Sequence, residues 1–244
     1  MDYVKASPWH DLDTMNYRII IADDHPLFRA AIKQILSSQL ESSVLENVAI
    51  DESDSVSGLQ TKLEENADAD LILLDLHMPG AQGFSALVFL RSHFPDIPVV
   101  VISAQEDPVV IDRAIQFGAS GFIPKSSEPA TIKQAIEAVL NGDIWSPRAV
   151  TNIGERSLHE NEMAKKLALL TPQQFKVLVM MNEGLLNKQI AYDLEVSEAT
   201  IKAHATAIFQ KLGVRNRTQA VIALHELDIE HPASVDTDSD VKPE

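Results

Sequence analysis

The sequence predicts two domains of different class: an α/β doubly wound (βα)5 domain, then a small all-α four-helix domain of the helix-turn-helix kind. Three observations predict this. Continuous apolar strings of strand length at 19–22, 71–74 and 99–102 alternate with helical patterns up to about residue 141. Such strings suit strands buried on both faces of a parallel sheet. After Trp145-Ser-Pro the strand signals stop and short helices with readable start signals take over. Finally, 165–225 is the only net-positive segment, with 8 basic and 4 acidic residues in a chain of net charge −16.

Taken in order, the first domain has two weaker strand candidates, at 44–50 and 121–123, beside the three strong ones. Helix patterns fall at 27–39, 56–65, 84–94, 108–117 and 130–140, so five strand-then-helix units are expected. Ligands in this architecture bind beyond the carboxyl ends of the strands, where the strand order reverses. Residues 148–166 are polar, and 142–166 reads as a linker. Thr171-Pro-Gln-Gln combines an N-cap, a proline at the first helical position and a capping-box glutamine. Asn187 can cap 188–194, Ser197 can cap 198–212, Gly213 supplies a stop, and Thr218 can cap a last helix to about 227. Residues 1–16 form an extension, and the acidic, apolar-poor stretch 228–244 reads as a disordered tail.

The 244 residues suffice for two ordinary domains. With no cysteine, disulfides, thiolate zinc sites and a cysteine nucleophile are excluded. The N-terminus has no apolar core of a signal peptide, and no stretch approaches the ~20 apolar residues that span a bilayer. No membrane association and a cytoplasmic location are therefore expected. A single basic segment in an acidic chain marks where a polyanion would dock.

Asp23 and Asp24 directly follow the first strand and Asp75 follows the third. In a doubly wound sheet these strands are neighbours, so three carboxylates converge and resist full ionisation unless a cation joins them. Hard oxygen ligands with open water positions suit Mg²⁺ better than zinc. Ser103 ends the fourth strand and Lys125 lies just past the fifth. An ammonium, a hydroxyl and a divalent cation around one carboxylate suit phosphoryl transfer onto Asp75 itself. His25, after the acid pair, reads as a local hydrogen-bonding residue, since Mg²⁺ disfavours imidazole.

Four stretches carry a resemblance: Ile-Ile-Ala-Asp-Asp-His-Pro, Leu-Leu-Asp-Leu-His-Met-Pro-Gly, Val-Ile-Ser-Ala and Gly-Phe-Ile-Pro-Lys-Ser. Together they resemble the landmarks of bacterial response-regulator receiver domains, over about 17–141. The resemblance implies that Asp75 is the phosphoacceptor, served by a cognate histidine kinase. It implies Mg²⁺ among Asp23, Asp24 and Asp75, with the backbone carbonyl of His77 as a further ligand. Ser103 and Lys125 would respond to the phosphoryl group, Phe122 would be an aromatic rotamer switch, and Ala104 the small residue admitting the donor. His77 and Gln105 flank the acceptor and switch positions, where side chains tune acyl-phosphate lifetime.

In the basic segment, Leu194, Val196, Ile201, Ala205, Ile208 and Leu212 form an apolar stripe across a helix, a turn and a second helix. The second helix's other face presents Thr200, Lys202, Ala203, Thr206 and Gln210. Small and polar groups with a lysine can enter the major groove, about 12 Å wide, and read base edges. Lys188, Lys211, Arg215 and Arg217 are placed to meet phosphates. A protein-binding helical domain would share this pattern. The wording Leu-Thr-Pro-Gln-Gln, Glu-Gly-Leu-Leu-Asn-Lys-Gln-Ile-Ala, Val-Ser-Glu-Ala-Thr-Ile-Lys-Ala-His and Lys-Leu-Gly-Val-Arg-Asn-Arg-Thr-Gln-Ala resembles the LuxR-type helix-turn-helix over about 167–225, within a domain expected at 167–227.

The combination is similar to the NarL/FixJ class of two-component response regulators. It implies that Lys202, Ala203 and Thr206 face the bases of double-stranded promoter DNA, with His204 on the same helix. The last helix would be the dimer contact of a homodimer formed on phosphorylation. The chain is thus expected to regulate transcription rather than turn over a substrate, its only chemistry being its own phosphorylation and dephosphorylation. The alternative is a phosphorylation-independent adaptor or constitutive DNA binder. Gln174 and Gln189 stand where the family often has glutamate, and Leu186 replaces a common serine.

Overall fold

The structure is a computed structural model in which residues 17–37, 48–65, 68–80, 83–147, 158–225 and 227 are described. The expected extension 1–16, the tail 228–244 and linker residues 148–157 lie outside them. Five parallel strands form one sheet in the order β2-β1-β3-β4-β5: β1 (Tyr17–Ala22), β2 (Val48–Ser53), β3 (Leu71–Asp75), β4 (Val99–Ser103) and β5 (Gly121–Pro124). Helices α1 (Pro26–Ser37), α2 (Val56–Glu65), α3 (Ser85–His93), α4 (Pro108–Gln116) and α5 (Pro129–Leu140) alternate with them.

The apolar strings work as parallel strands because both faces of each are covered. Ile19, Ile21, Leu71, Leu73, Val100, Ile102 and Ile123 are buried in a cluster with Ile32 of α1 and Ile136 of α5. Their alternates, Ile20, Ile72, Leu74, Val99, Val101 and Phe122, are buried with residues of α2, α3 and α4. Register places Leu74 beside Val101 and Val101 beside Phe122, so the carboxyl ends of β1, β3, β4 and β5 finish at one edge. The order reverses between β1 and β3.

Strand β2 differs from the expectation. It runs later than 44–50, ending on Asp51-Glu52-Ser53, and 44–47 are outside the described residues. As an edge strand it tolerates charge that long-range partners neutralise: Arg18 holds Asp51 at 2.8 Å, while Arg29 and Lys33 hold Glu52.

The second half of the expected linker is not a plain connection. Residues Leu158–Ala168 form helix α6, which packs on α3 of the first domain and precedes α7 (Pro172–Asn182), α8 (Asn187–Asp193), α9 (Glu198–Leu212) and α10 (Arg217–His225). Thr171 caps α7 in a full capping box with Gln174, and Ser197 caps α9 by accepting from the Thr200 amide. Gly213 ends α9 in the left-handed region at φ 74°, which costs glycine nothing. Two caps fall elsewhere than expected. Leu186, not Asn187, occupies the α8 cap position, its amide bonded at 2.7 Å by the Gln189 side chain. Asn216, not Thr218, caps α10 by accepting from the Gln219 amide at 2.9 Å. Both bonds satisfy amides that a helix start leaves open.

Candidate functional site

At the carboxyl edge of the sheet, Asp23 follows β1 and Asp75 ends β3, and both are almost fully buried. Two buried carboxylates this close need a counter-charge. Lys125, just past β5, supplies it: its Nζ lies 2.7 Å from Asp23 Oδ2 and 2.8 Å from Asp75 Oδ2. Burial opposes that ammonium's charge, but hydrogen bonds and attraction from Asp23 and Asp75 outweigh it and hold the pKa above the usual lysine value. The same ammonium sits 5.0 Å from the centre of the Phe28 ring on α1. Asp75 Oδ1 accepts the backbone amide of His77 at 3.2 Å.

Ligand atoms from Asp23, Asp24, His25 and Asp75 all lie within 4.8 Å of one another. His25 Nδ1 lies 2.8 Å from Asp24 Oδ1, 3.1 Å from Asp23 Oδ1 and 3.8 Å from Asp75 Oδ2. It therefore serves as a local polar partner of the acid pair, as its type suggests. The three carboxylates offer hard oxygens suited to Mg²⁺. Ser103 is fully buried at the end of β4, and its Oγ accepts the Gln105 amide at 3.1 Å. The Lys125 amide donates to the Ser103 carbonyl at 2.8 Å, so the β4 and β5 exits are tied together. Phe122 is turned fully inward among core residues of the α2–α4 side. Phe28 was not among the residues expected at the site; the Asp-Asp-His-Pro-Leu-Phe string runs directly from β1 into α1, which was the available signal for it.

The second candidate surface lies on α8 and α9. Ile201, Ala205, Ile208 and Leu212 are buried on the inner face of α9 against Ile190 and Ala191 of α8. Of the expected stripe, Leu194 is only half-buried and Val196 is exposed, because both lie in the turn; the fully buried Ile190 takes that place. The turn itself passes through Glu195 at φ 53°. The outer face presents Lys202, Ala203, Thr206 and Gln210 to solvent, with Thr200 and His204 half-buried at its margins. Lys202 makes an exposed ion pair with Glu198 at 3.0 Å, and Thr200 bonds the capping Ser197.

The basic residues divide. Lys188 and Arg215 are exposed. Lys211 is turned onto the Leu169 carbonyl at 2.8 Å and Gln174 Oε1 at 2.7 Å, and Arg217 donates to the Met181 carbonyl. These two cations tie helices together, and burial lowers the pKa of Arg217. The glutamine departures are also absorbed: Gln174 accepts from both Lys211 and the Thr171 amide, and Gln189 from Leu186.

A parallel five-stranded sheet with a carboxylate–lysine cluster at its carboxyl edge, joined to a helix-turn-helix with a solvent-facing second helix, defines a receiver coupled to a DNA-binding domain. The comparisons agree. The model for the response regulator receiver domain matches residues 19–137, and that for bacterial regulatory proteins of the luxR family matches 168–224. The glycerol metabolism activator of Pseudomonas putida is 43% identical over 219 residues, covering 87% of this chain and 96% of that one. The nitrate/nitrite response regulator protein NarL of Escherichia coli (strain K12) is 31% identical over 210 residues, covering 85% and 94%. A structure of RcsB from Salmonella enterica serovar Typhimurium, bound to promoter DNA with the phosphomimetic BeF3⁻, aligns with a TM-score of 0.50 at 27% identity, covering 87% and 99%. The chain belongs to the NarL/FixJ class of response regulators: it is a DNA-binding regulator of transcription with a receiver domain. Among the described residues no helix is long and apolar enough to cross a membrane.

Proposed function

We propose that Asp75 accepts a phosphoryl group from a histidine kinase and that this modification controls pairing of chains on promoter DNA. The observation that carries the reading is the Lys125 ammonium bridging two buried carboxylates, Asp23 and Asp75, at the sheet edge. An Asp75 carboxylate oxygen attacks phosphorus, the bond from phosphorus to the donor nitrogen breaks, and the leaving imidazole is protonated. Lys125 offsets charge building on the phosphoryl oxygens, and the Ser103 hydroxyl can donate to one of them. Asp23, Asp24 and Asp75, with the His77 carbonyl, would hold Mg²⁺, which when bound neutralises the same oxygens. The exposed face of α9 carries Lys202, Ala203 and Thr206 to the bases, while Lys188 and Arg215 meet phosphates. Two such chains, paired through α10, would engage two half-sites of one duplex in the bacterial cytoplasm. The chain turns over no substrate besides its own phosphoryl group.

Incubation with acetyl phosphate and Mg²⁺, read by the mass of the intact chain, tests the acceptor. The parent chain gains one phosphoryl group and Asp75→Asn gains none. Equal uptake by the variant would overturn the assignment.

A further inference from the structure

The DNA-binding domain does not hang free of the receiver. Phe89 of α3 stacks on Phe175 of α7 with ring centres 4.2 Å apart and planes 6° from parallel. The Gln60 side chain on α2 reaches the Pro172 carbonyl at 3.4 Å, and Lys176 Nζ lies 3.2 Å from Thr61 Oγ1. The Phe84 amide donates to the Leu227 carbonyl at 3.0 Å, fastening the chain just past α10 to the start of α3. Gly80, five residues after Asp75, is pressed against α7. A Cβ on it would fall 2.5 Å from Val179 Cγ1, and its φ of 82° already requires glycine. All these contacts use α7 and Leu227 just past α10, while Lys202, Ala203, Thr206 and Gln210 on α9 remain open to solvent.

We infer that the receiver holds the DNA-binding domain by its back, through α2, α3 and the loop after Asp75, so that the docked chain still presents α9 to DNA. The receiver acts on the scaffold helix α7 rather than by covering the reading helix. A receiver that masked α9 would bury its outer side chains, and the reverse is found. The loop that leaves β3 directly after Asp75 is the one that meets Val179, so a change at Asp75 reaches α7 without passing through the linker. The inference rests on the assignment of α9 as the reading helix.

The chain has no cysteine of its own, so Thr61→Cys/Lys176→Cys in the full chain places two unique thiols across the docking face. A short bismaleimide should join them within one chain in the unphosphorylated protein, and the joined protein should bind a random-sequence duplex at low salt within roughly threefold of the unjoined one. In both forms Lys202→Ala should weaken binding by the same factor. Failure to cross-link would overturn the docking. A loss of roughly tenfold or more on joining would overturn the open reading face. Loss of the Lys202→Ala effect in the unjoined protein would instead strike the assignment of α9. Gly80→Ala should slow joining roughly tenfold, and adding Val179→Ala should restore part of the rate. An unchanged rate in Gly80→Ala would remove the acceptor loop from the docking face.

Discussion

The acid cluster and the reading helix do their work in opposite physical settings. Around Asp75, the carboxylates of Asp23 and Asp75 are buried and share the Lys125 ammonium within hydrogen-bond distance. On α9 the working side chains face water, and their fixed contacts are an exposed ion pair, a hydrogen bond to the N-cap and one from Thr206 to the Lys202 carbonyl. A buried charge network couples function to stability, because removing one member leaves another unpaired. A solvent-facing helix separates them, since its outer residues can change without disturbing the core.

Breaking the cluster should therefore be felt twice. Lys125→Ala should reduce phosphoryl uptake by Asp75 severely and lower stability by about 2 kcal/mol, as two buried carboxylates lose their counter-charge. Urea denaturation measures the second effect, and added Mg²⁺ should recover part of it. If Lys125→Ala were as stable as the parent, the contrast between the two regions would fail. On α9, Lys202→Ala should cost about 1–2 kcal/mol of DNA affinity with no shift in the denaturation midpoint.

The raised pKa of Lys125 gives a sharper form of the contrast. A cation favoured in the folded state contributes stability that is complete below its unfolded value, near 10.5, and is lost as pH rises through the higher folded value. The parent should lose stability in that alkaline range, and Lys125→Met should show less of the loss. Lys202→Met should leave the alkaline profile as it is in the parent. The smallest effect belongs to Gln174→Glu, which gives Lys211 a charged partner at a contact now 2.7 Å long. A gain of about 0.5 kcal/mol in thermal or urea stability is expected, with DNA affinity unchanged.

The two regions were legible in the sequence to different degrees, for reasons of range. Strands β1, β3 and β4 are continuous apolar strings, so their ends, and with them Asp23, Asp75 and Ser103, can be placed by counting. The capping box at Thr171 and the stop at Gly213 are equally local. The end of strand β2 is not legible locally, because Asp51 and Glu52 are made tolerable by Arg18, Arg29 and Lys33 from other elements. Lys211 and Arg217 look like phosphate-seeking cations until the carbonyls of Leu169 and Met181 are found beside them. The docking of the domains was invisible for a related reason. Phe89 and Phe175 carry ordinary core spacing within their own helices, and nothing local says that each is the other's partner.

That stack has a consequence for how the chain comes apart. Residues of both domains, from Ile72 and Phe122 to Phe175 and Leu212, belong to one buried apolar cluster. Opening either domain exposes surface that the other was covering, so neither can melt without loss to its neighbour. Denaturant should thus reveal a single cooperative transition, with the steep slope of a large folding unit. A variant such as Phe89→Ala should split it into two shallower steps, converting one folding unit into two.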